Sequence, residues 1–262
     1  LVGVAKDGND DETQAVHPRD PARTLTMPAI EEQLLAAMGE QRGVGAADRL
    51  CEACVGLLGI DAAAVSLVFD GANIGTLGAS GPAARIYDEE QFTHGEGPCL
   101  DAVAYKAPVV VVDLADPAET RWPAYGPAML AREIRGVYAM PIMVAGEYVG
   151  ALDLFQTTPT MLAAEQVAGV TVAAELAQMP MLDLLEQNLD DAAAKPGSTA
   201  WNEINNLTRS EVSQATGMLM AQLNLAAPVA LVRLRAHAYA TGRSATEIAR
   251  DILERRLRLD PH

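Results

Sequence analysis

The sequence predicts an α+β domain, an antiparallel sheet with helices packed on it, followed by an all-α unit of three short helices. Three observations carry that expectation. Between residues 28 and 180 the hydrophobic spacing changes from helical to strand-like and back, with strands in turn-linked pairs. Beyond residue 207 only helical periods occur, opened by cap-like sequences. Charge divides the chain in the same way. Residues 1–200 hold 29 Asp and Glu against 11 Lys and Arg, a balance of −18, whereas residues 201–262 hold 6 against 8, a balance of +2, which together give the −16 of the 262-residue chain.

Residues 1–27 are polar, rich in acids and prolines and without a period, and read as a disordered tail with no secretory leader. Helical spacing follows from Pro28 to about Gln41, through Ile30, Leu34, Leu35 and Met38, and again from Ala46 to Leu58, through Leu50, Cys54 and Leu57. Ala62–Phe69 reads as a strand closed by Asp70-Gly71, with Ile74–Leu77 as its hairpin partner. The irregular stretch 81–108 has room for one or two short helices. Val109–Asp113 does not alternate and predicts a strand buried on both faces. A short helix is expected before residue 136. Val137–Val144 and Tyr148–Phe155 form a hairpin turned at Ala145-Gly146. Met161–Met179 reads as a helix stopped near Pro180, and Lys195-Pro196-Gly197-Ser198 marks a boundary inside a linker at 181–206.

In the C-terminal unit, Thr208-Arg209-Ser210-Glu211 and Ser244-Ala245-Thr246-Glu247 are capping-box sequences. The first helix carries an apolar stripe of Val212, Ala215, Thr216, Leu219, Met220 and Leu223. Ala230, Leu231, Leu234 and Ala238 face inward on the second, which Gly242 stops. Ile248, Ala249, Ile252, Leu253 and Arg256 line one face of the third. Three such helices bury little by themselves, so contact with Ile204–Leu207, the linker or a second copy is expected.

Composition narrows the function. No window approaches the roughly 18 uninterrupted apolar residues of a membrane span. Three cysteines cannot build a disulfide framework, which fits a reducing cytoplasm. The acidic bulk repels polyanions, leaving the C-terminal unit as the part suited to touch one.

The segments FTHGEGPCLDAV and PIMVAGEYVGALDLF, in this order of helices and strands, resemble a GAF domain over roughly residues 28–180. The resemblance implies a small-molecule pocket over one sheet face and dimerisation through flanking helices. Candidate pocket residues are Tyr87, Phe92, Cys99, Trp122, Tyr125 and Tyr138, which by themselves read first as packing for the loops. The ligand and any cofactor stay unknown. The Asn-Lys-Phe-Asp-Glu signature of the cyclic-nucleotide subset is missing, and His94, the one histidine of this domain, reads as a hydrogen-bonding residue before an axial ligand.

QATGMLM, APVALVRLRAHAYATGR and SATEIARDILERRL resemble an ANTAR domain over residues 207–262. The pair is similar to actinobacterial regulators of transcription antitermination. The resemblance implies no catalysis, a homodimer without membrane attachment, and RNA hairpins in leader transcripts as the partner. It places Arg233, Arg235, His237, Arg243 and Thr216 at the RNA interface. Thr216 stands where many ANTAR domains carry a basic residue. Without the resemblance, these cations read first as a solvated basic face with helix salt bridges.

The cysteines leave an enzymatic alternative. Some GAF domains reduce free methionine sulfoxide with cysteine thiolates, and Gly97-Pro98 would set Cys99 at a helix N-terminus that favours thiolate. Cys51-x-x-Cys54 falls inside a helical run and has no second ligand pair, so it reads as core packing and no metal site is expected. A ligand-binding domain whose helical unit meets a protein partner is the remaining alternative.

Overall fold

The computed structural model describes residues 27–191 and 209–260. The expected tail through residue 26, the 195–198 boundary, the Ile204–Leu207 contact and the Thr208 cap lie outside the described residues. A five-stranded antiparallel sheet forms the centre, in the order β2-β1-β5-β4-β3: β1 Ala62–Phe69, β2 Ala72–Ala79, β3 Val109–Val111, β4 Gly136–Val144 and β5 Glu147–Gln156. The two hairpin turns need positive φ at both central positions. Asp70 and Gly71 supply 49° and 72°, and Ala145 and Gly146 supply 51° and 89°.

Strand alternation divides the core in two. On one face, Ala63, Val65 and Leu67 of β1, with Leu152 and Leu154 of β5, pack under α1 Met27–Met38, α2 Gly43–Leu58, α6 Ala164–Leu176 and α7 Gln178–Asp191. On the other, Ala62, Ala64, Val68, Ala151 and Phe155 pack under α3 Pro82–His94, α4 Pro98–Tyr105 and α5 Tyr125–Leu130. Cys51 and Cys54 are buried in the first core, as core packing requires, and Cys99 in the second.

Two local expectations are corrected. Val109–Asp113 was expected to be buried on both faces, but β3 is an edge strand of three residues whose Val110 is 46% exposed, because among the described residues the helices on that face do not reach this edge. Pro180 does not end the long helix. The chain breaks at Ala177, and Pro180 sits in the first turn of α7, where its missing N–H is one of the groups left unpaired anyway. The stretch 164–184 passes for a membrane span by length and composition. Its Val170, Val172, Ala173, Ala177 and Met181 are nevertheless buried in the first core, as in a core helix.

The C-terminal unit comprises α8 Ser210–Leu223, α9 Ala227–Thr241 and α10 Ala245–Leu253. Val212, Ala215, Leu219, Ala230, Leu234, Ala238, Ile248, Ala249 and Ile252 form its core. The Ser244 capping box is present in full: Glu247 N donates to Ser244 Oγ at 3.2 Å, and Ser244 N to Glu247 Oε2 at 2.9 Å. The first helix differs. Arg209 stands at its N-cap with φ 46° and supplies no side-chain cap. Arg256, expected on the inner face of the third helix, lies beyond its end, where it is exposed and paired with Asp251.

Candidate functional site

The GEGPC segment organises the second core. Gly95, at φ 69°, ends α3. Gly97, at φ 143°, opens α4, and a Cβ there would collide with the Gln91 side chain. Gln91 is held in that space because its Oε1 accepts the Cys99 N–H at 2.8 Å. Glu96 reaches across to accept the N–H groups of Ala124 (2.6 Å) and Tyr125 (2.9 Å), which fixes the start of α5.

These anchors leave a buried polar cluster between the sheet and α3. Asp88 of α3 accepts four hydrogen bonds. Ser66 Oγ at 2.5 Å and Asn73 Nδ2 at 2.8 Å donate to its Oδ1. Thr76 Oγ1 and Arg209 Nη2, the latter at 3.2 Å, donate to its Oδ2. Four donors and no acceptor describe an ionised carboxylate with its lone pairs in use. Ser66 Oγ is also 2.5 Å from Asp153 Oδ2. A hydroxyl has one hydrogen, so the second short contact needs a proton on Asp153. Burial, and after it the Asp88 charge, push the Asp153 carboxyl well above the usual range and hold the proton there. Asp153 Oδ1 and the hydroxyl of Tyr125 are buried without a hydrogen-bond partner among the described residues.

A pH signature follows. Below about pH 4, Asp153 is protonated in both folded and unfolded chains, and its contribution to stability is complete. As pH rises, the unfolded chain releases a proton that the folded chain keeps. Stability then falls by up to about 1.4 kcal/mol per pH unit until the raised folded pKa is reached. Asp153→Asn removes this titration, so its free energy of unfolding in urea should decline less between pH 5 and pH 8 than the parent's. Equal declines would show that Asp153 is ionised in the folded chain.

The expected pocket residues divide between three places. Tyr87, Cys99, Trp122 and Tyr125 lie together on the face of the polar cluster, with Tyr87 edge-on to Phe155 at 5.2 Å and Trp122 edge-on to Tyr125 at 5.9 Å. Tyr138 lies on the opposite face, since strand alternation sends its neighbours Val137 and Ala139 to the cluster side, and its hydroxyl donates to the Thr160 carbonyl. Phe92 turns from the sheet to the C-terminal helices and joins their core.

Phe92 is the centre of the contact between the two units. The guanidinium carbons of Arg209 and Arg235 lie 4.4 and 4.7 Å from its ring centroid. Around it, Ala245 N donates to Thr93 Oγ1 at 3.1 Å, Thr246 N to Glu89 Oε1 at 3.3 Å, and His94 meets Tyr239 edge-on at 5.7 Å. His94 also bonds Glu90 at 3.1 Å, as a hydrogen-bonding histidine does. Arg209 enters the polar cluster itself, with Nη1 donating to Asn73 Oδ1 at 2.7 Å in addition to its bond to Asp88.

The residues expected at an RNA interface are accordingly not equivalent. Arg235 is packed under the sensor unit. Its Nε is buried without a partner among the described residues, and burial followed by the nearby Arg209 charge lower its pKa. Thr216 is buried and its hydroxyl donates to the Val212 carbonyl at 2.7 Å. Arg243 is exposed and paired with Asp251 at 2.7 Å. Arg233 and His237 are half-exposed, and Arg233 Nη1 donates to the Asp260 carbonyl at 2.5 Å.

Cys99 is the second residue of α4, at the N-terminal position its sequence implies. Its environment opposes thiolate nonetheless. The side chain is fully buried, and burial, then the neighbouring Asp153–Asp88 carboxyl pair, push the thiol well above its ordinary value. Burial also pushes Cys54 up to about 12 and raises Cys51. The two lie across the sheet from Cys99, where neither serves as its resolving thiol.

Sequence reasoning missed Ser66, Asn73, Thr76, Asp88, Gln91, Asp153 and Arg209. The available signals were Ser66 and Asp153, lone polar residues in the apolar strands AAAVSLVF and ALDLF.

Comparison with known proteins agrees with this division. The family model described as GAF domain matches residues 45–179, and that described as ANTAR domain matches residues 206–253. Similar solved structures include the GAF domain of a phosphoenolpyruvate-protein phosphotransferase from Coxiella burnetii, at 20% identity over 65% of this chain and 99% of that one, TM-score 0.48. Another is the GAF domain of the Acinetobacter phosphoenolpyruvate-protein phosphotransferase, at 8% identity over 62% and 97%, TM-score 0.49. A third is the free methionine-R-sulfoxide reductase of Neisseria meningitidis in complex with its substrate, at 15% identity over 64% and 96%, TM-score 0.46. No curated protein matches the chain.

Proposed function

Since the chain belongs to the GAF domain family and carries an ANTAR domain behind it, we propose that it is a signal-responsive RNA-binding regulator of transcription antitermination. The GAF pocket receives a small ligand, and the ANTAR helices bind paired hairpins in leader transcripts. The observation that carries this reading is the seam at Phe92. It joins the buried polar cluster to Arg235, one of the cations the ANTAR resemblance assigns to RNA. A ligand that alters the seam changes which arginines are available, which is a shift between two populations rather than a chemical step. The reading includes a cytoplasmic homodimer formed through the outer faces of α1, α6 and α7, where Leu35, Val167 and Leu182 are exposed.

Filter binding of the full chain to a paired-hairpin RNA across a salt series tests it. Affinity should fall with rising salt, and Arg243→Ala should weaken binding and reduce the slope of log K against log salt by about one. No binding at low salt, with the parent and with a seam-weakened variant alike, would overturn it.

A further inference from the structure

The side chains around Asp88 compose a receptor for a cation, and the chain fills it with one of its own. Asp88 and Asp153 together hold one proton beyond that of Ser66, so the pair carries a single negative charge. Among the described residues, Arg209 is the one cation hydrogen-bonded to the cluster's side chains, and it balances that charge. The ligating atoms of Asp88, Cys99 and Asp153 lie within 4.8 Å of one another. A divalent ion there would require expelling the Asp153 proton and breaking both Ser66 contacts, so the complement of the site as built is a monocation. The Phe92 ring, 4.4 Å from the guanidinium, adds an aromatic face of the kind that attracts organic cations.

Arg209 comes from outside the sensor domain, from the residue that opens α8. Beside it lies a cleft of about 660 Å³ between the β1–β2 hairpin and helices α8 and α9. Phe69, Ile74, Met220 and Leu231 give it apolar walls, and Asn73 and Arg209 also face it. Phe69 is 71% exposed and stands at the rim of this cleft. The cleft has the size of a small-molecule site and leads to the guanidinium.

We propose that the Asn73–Thr76–Asp88 socket is the site of a small organic monocation, an ammonium or guanidinium head on an apolar body, whose binding expels Arg209 and releases the three helices from the sensor domain. The head replaces the Arg209 guanidinium against Asp88 and over Phe92, and the body lies in the cleft. Arg209 is thus an internal competitor with an effective concentration in the millimolar range. The ligand binds the parent chain weakly and binds a chain lacking that arginine more tightly. The consequence for RNA rests on the regulatory reading above, whereas the binding event does not.

The probe is benzamidine, with neutral benzamide as its isostere, titrated calorimetrically into the full chain. Benzamidine should bind the parent and bind Arg209→Gln at least tenfold more tightly. Benzamide should bind neither, and Asp88→Asn should abolish binding while the near-ultraviolet circular dichroism is kept. Hydrogen exchange on the parent gives a readout that needs no variant: benzamidine should reduce protection of the Ala245 and Thr246 amides, which bond Thr93 and Glu89 across the seam. Equal affinity for parent and Arg209→Gln, equal binding of benzamide, or unchanged protection at saturating benzamidine would each overturn the proposal. No RNA enters this experiment, so its failure leaves the hairpin assay to decide the RNA reading separately.

Discussion

Asp88→Ala is expected to destabilise the chain by about 3–5 kcal/mol, the cost of breaking a buried ion pair from one side. The carboxylate is fully buried and gathers donors from three other places: Ser66 from β1, Asn73 and Thr76 from β2, and Arg209 from the head of α8. Its removal takes the strongest acceptor from Asn73 and Thr76 inside the sensor domain, at about 1–3 kcal/mol for each donor left without a partner, while Ser66 keeps its contact with Asp153. Arg209 has an escape that they lack, because it sits at a boundary and can leave with its helix. The loss should therefore appear in two transitions, early release of the C-terminal helices followed by unfolding of a weakened sheet domain. A double-mutant cycle with Arg209→Met separates these costs. The coupling between Asp88 and Arg209 should be about 0.5–3 kcal/mol, since the double variant no longer leaves a charge unpaired. A cycle that closes to zero in urea titrations would mean that Arg209 does not occupy the cluster in solution.

The contrast between what was legible in the chain and what was not follows from the range of the interactions. The hairpins were readable because Asp70-Gly71 and Ala145-Gly146 state their turn chemistry within two residues, between apolar runs of strand length. The Ser244–Glu247 box was readable for the same reason, as both partners lie on one turn. The polar cluster was not. Its members come from β1, β2, α3 and β5 and from the residue before α8; Asp88 and Gln91 sit in the run DEEQ that reads as surface, and Asn73 and Thr76 are small polar residues among the glycines of ANIGTLGA. Arg209 was concealed further. Lying inside a capping-box sequence, it read as the filler between Thr208 and Glu211, whereas its side chain crosses more than a hundred residues of sequence to reach Asn73. Tyr138 shows the opposite error. Aromatic character suggested a pocket residue, and the period of two, which places it on the other face, decides the matter.

Phe92→Ala is expected to produce the largest change in RNA binding. Phe92 is only 6% exposed, yet the core it joins belongs to the C-terminal helices, with Val212, Ala215 and Leu234. Truncating such a ring costs about 3–5 kcal/mol, and each arginine stacked on it loses a further cation–π contribution of about 0.5–2 kcal/mol. Most of that loss falls on the docked arrangement, since the sheet packing on the other side of α3 does not involve this ring. If the docked arrangement hides Arg235, apparent RNA affinity is the intrinsic affinity scaled by the undocked fraction. Freeing the helices should then raise affinity for a paired-hairpin RNA by about tenfold or more. A second effect distinguishes release from a general gain in affinity. Arg235, desolvated in the docked chain and with no partner for Nε among the described residues, would become available to phosphate, and the slope of log K against log salt should steepen by about one. Adding Arg235→Ala to Phe92→Ala should return the slope to the parent's value while leaving the helices undocked by hydrogen exchange. An RNA affinity and salt slope unchanged by Phe92→Ala, with undocking demonstrated in the same preparation, would separate the seam from the RNA face.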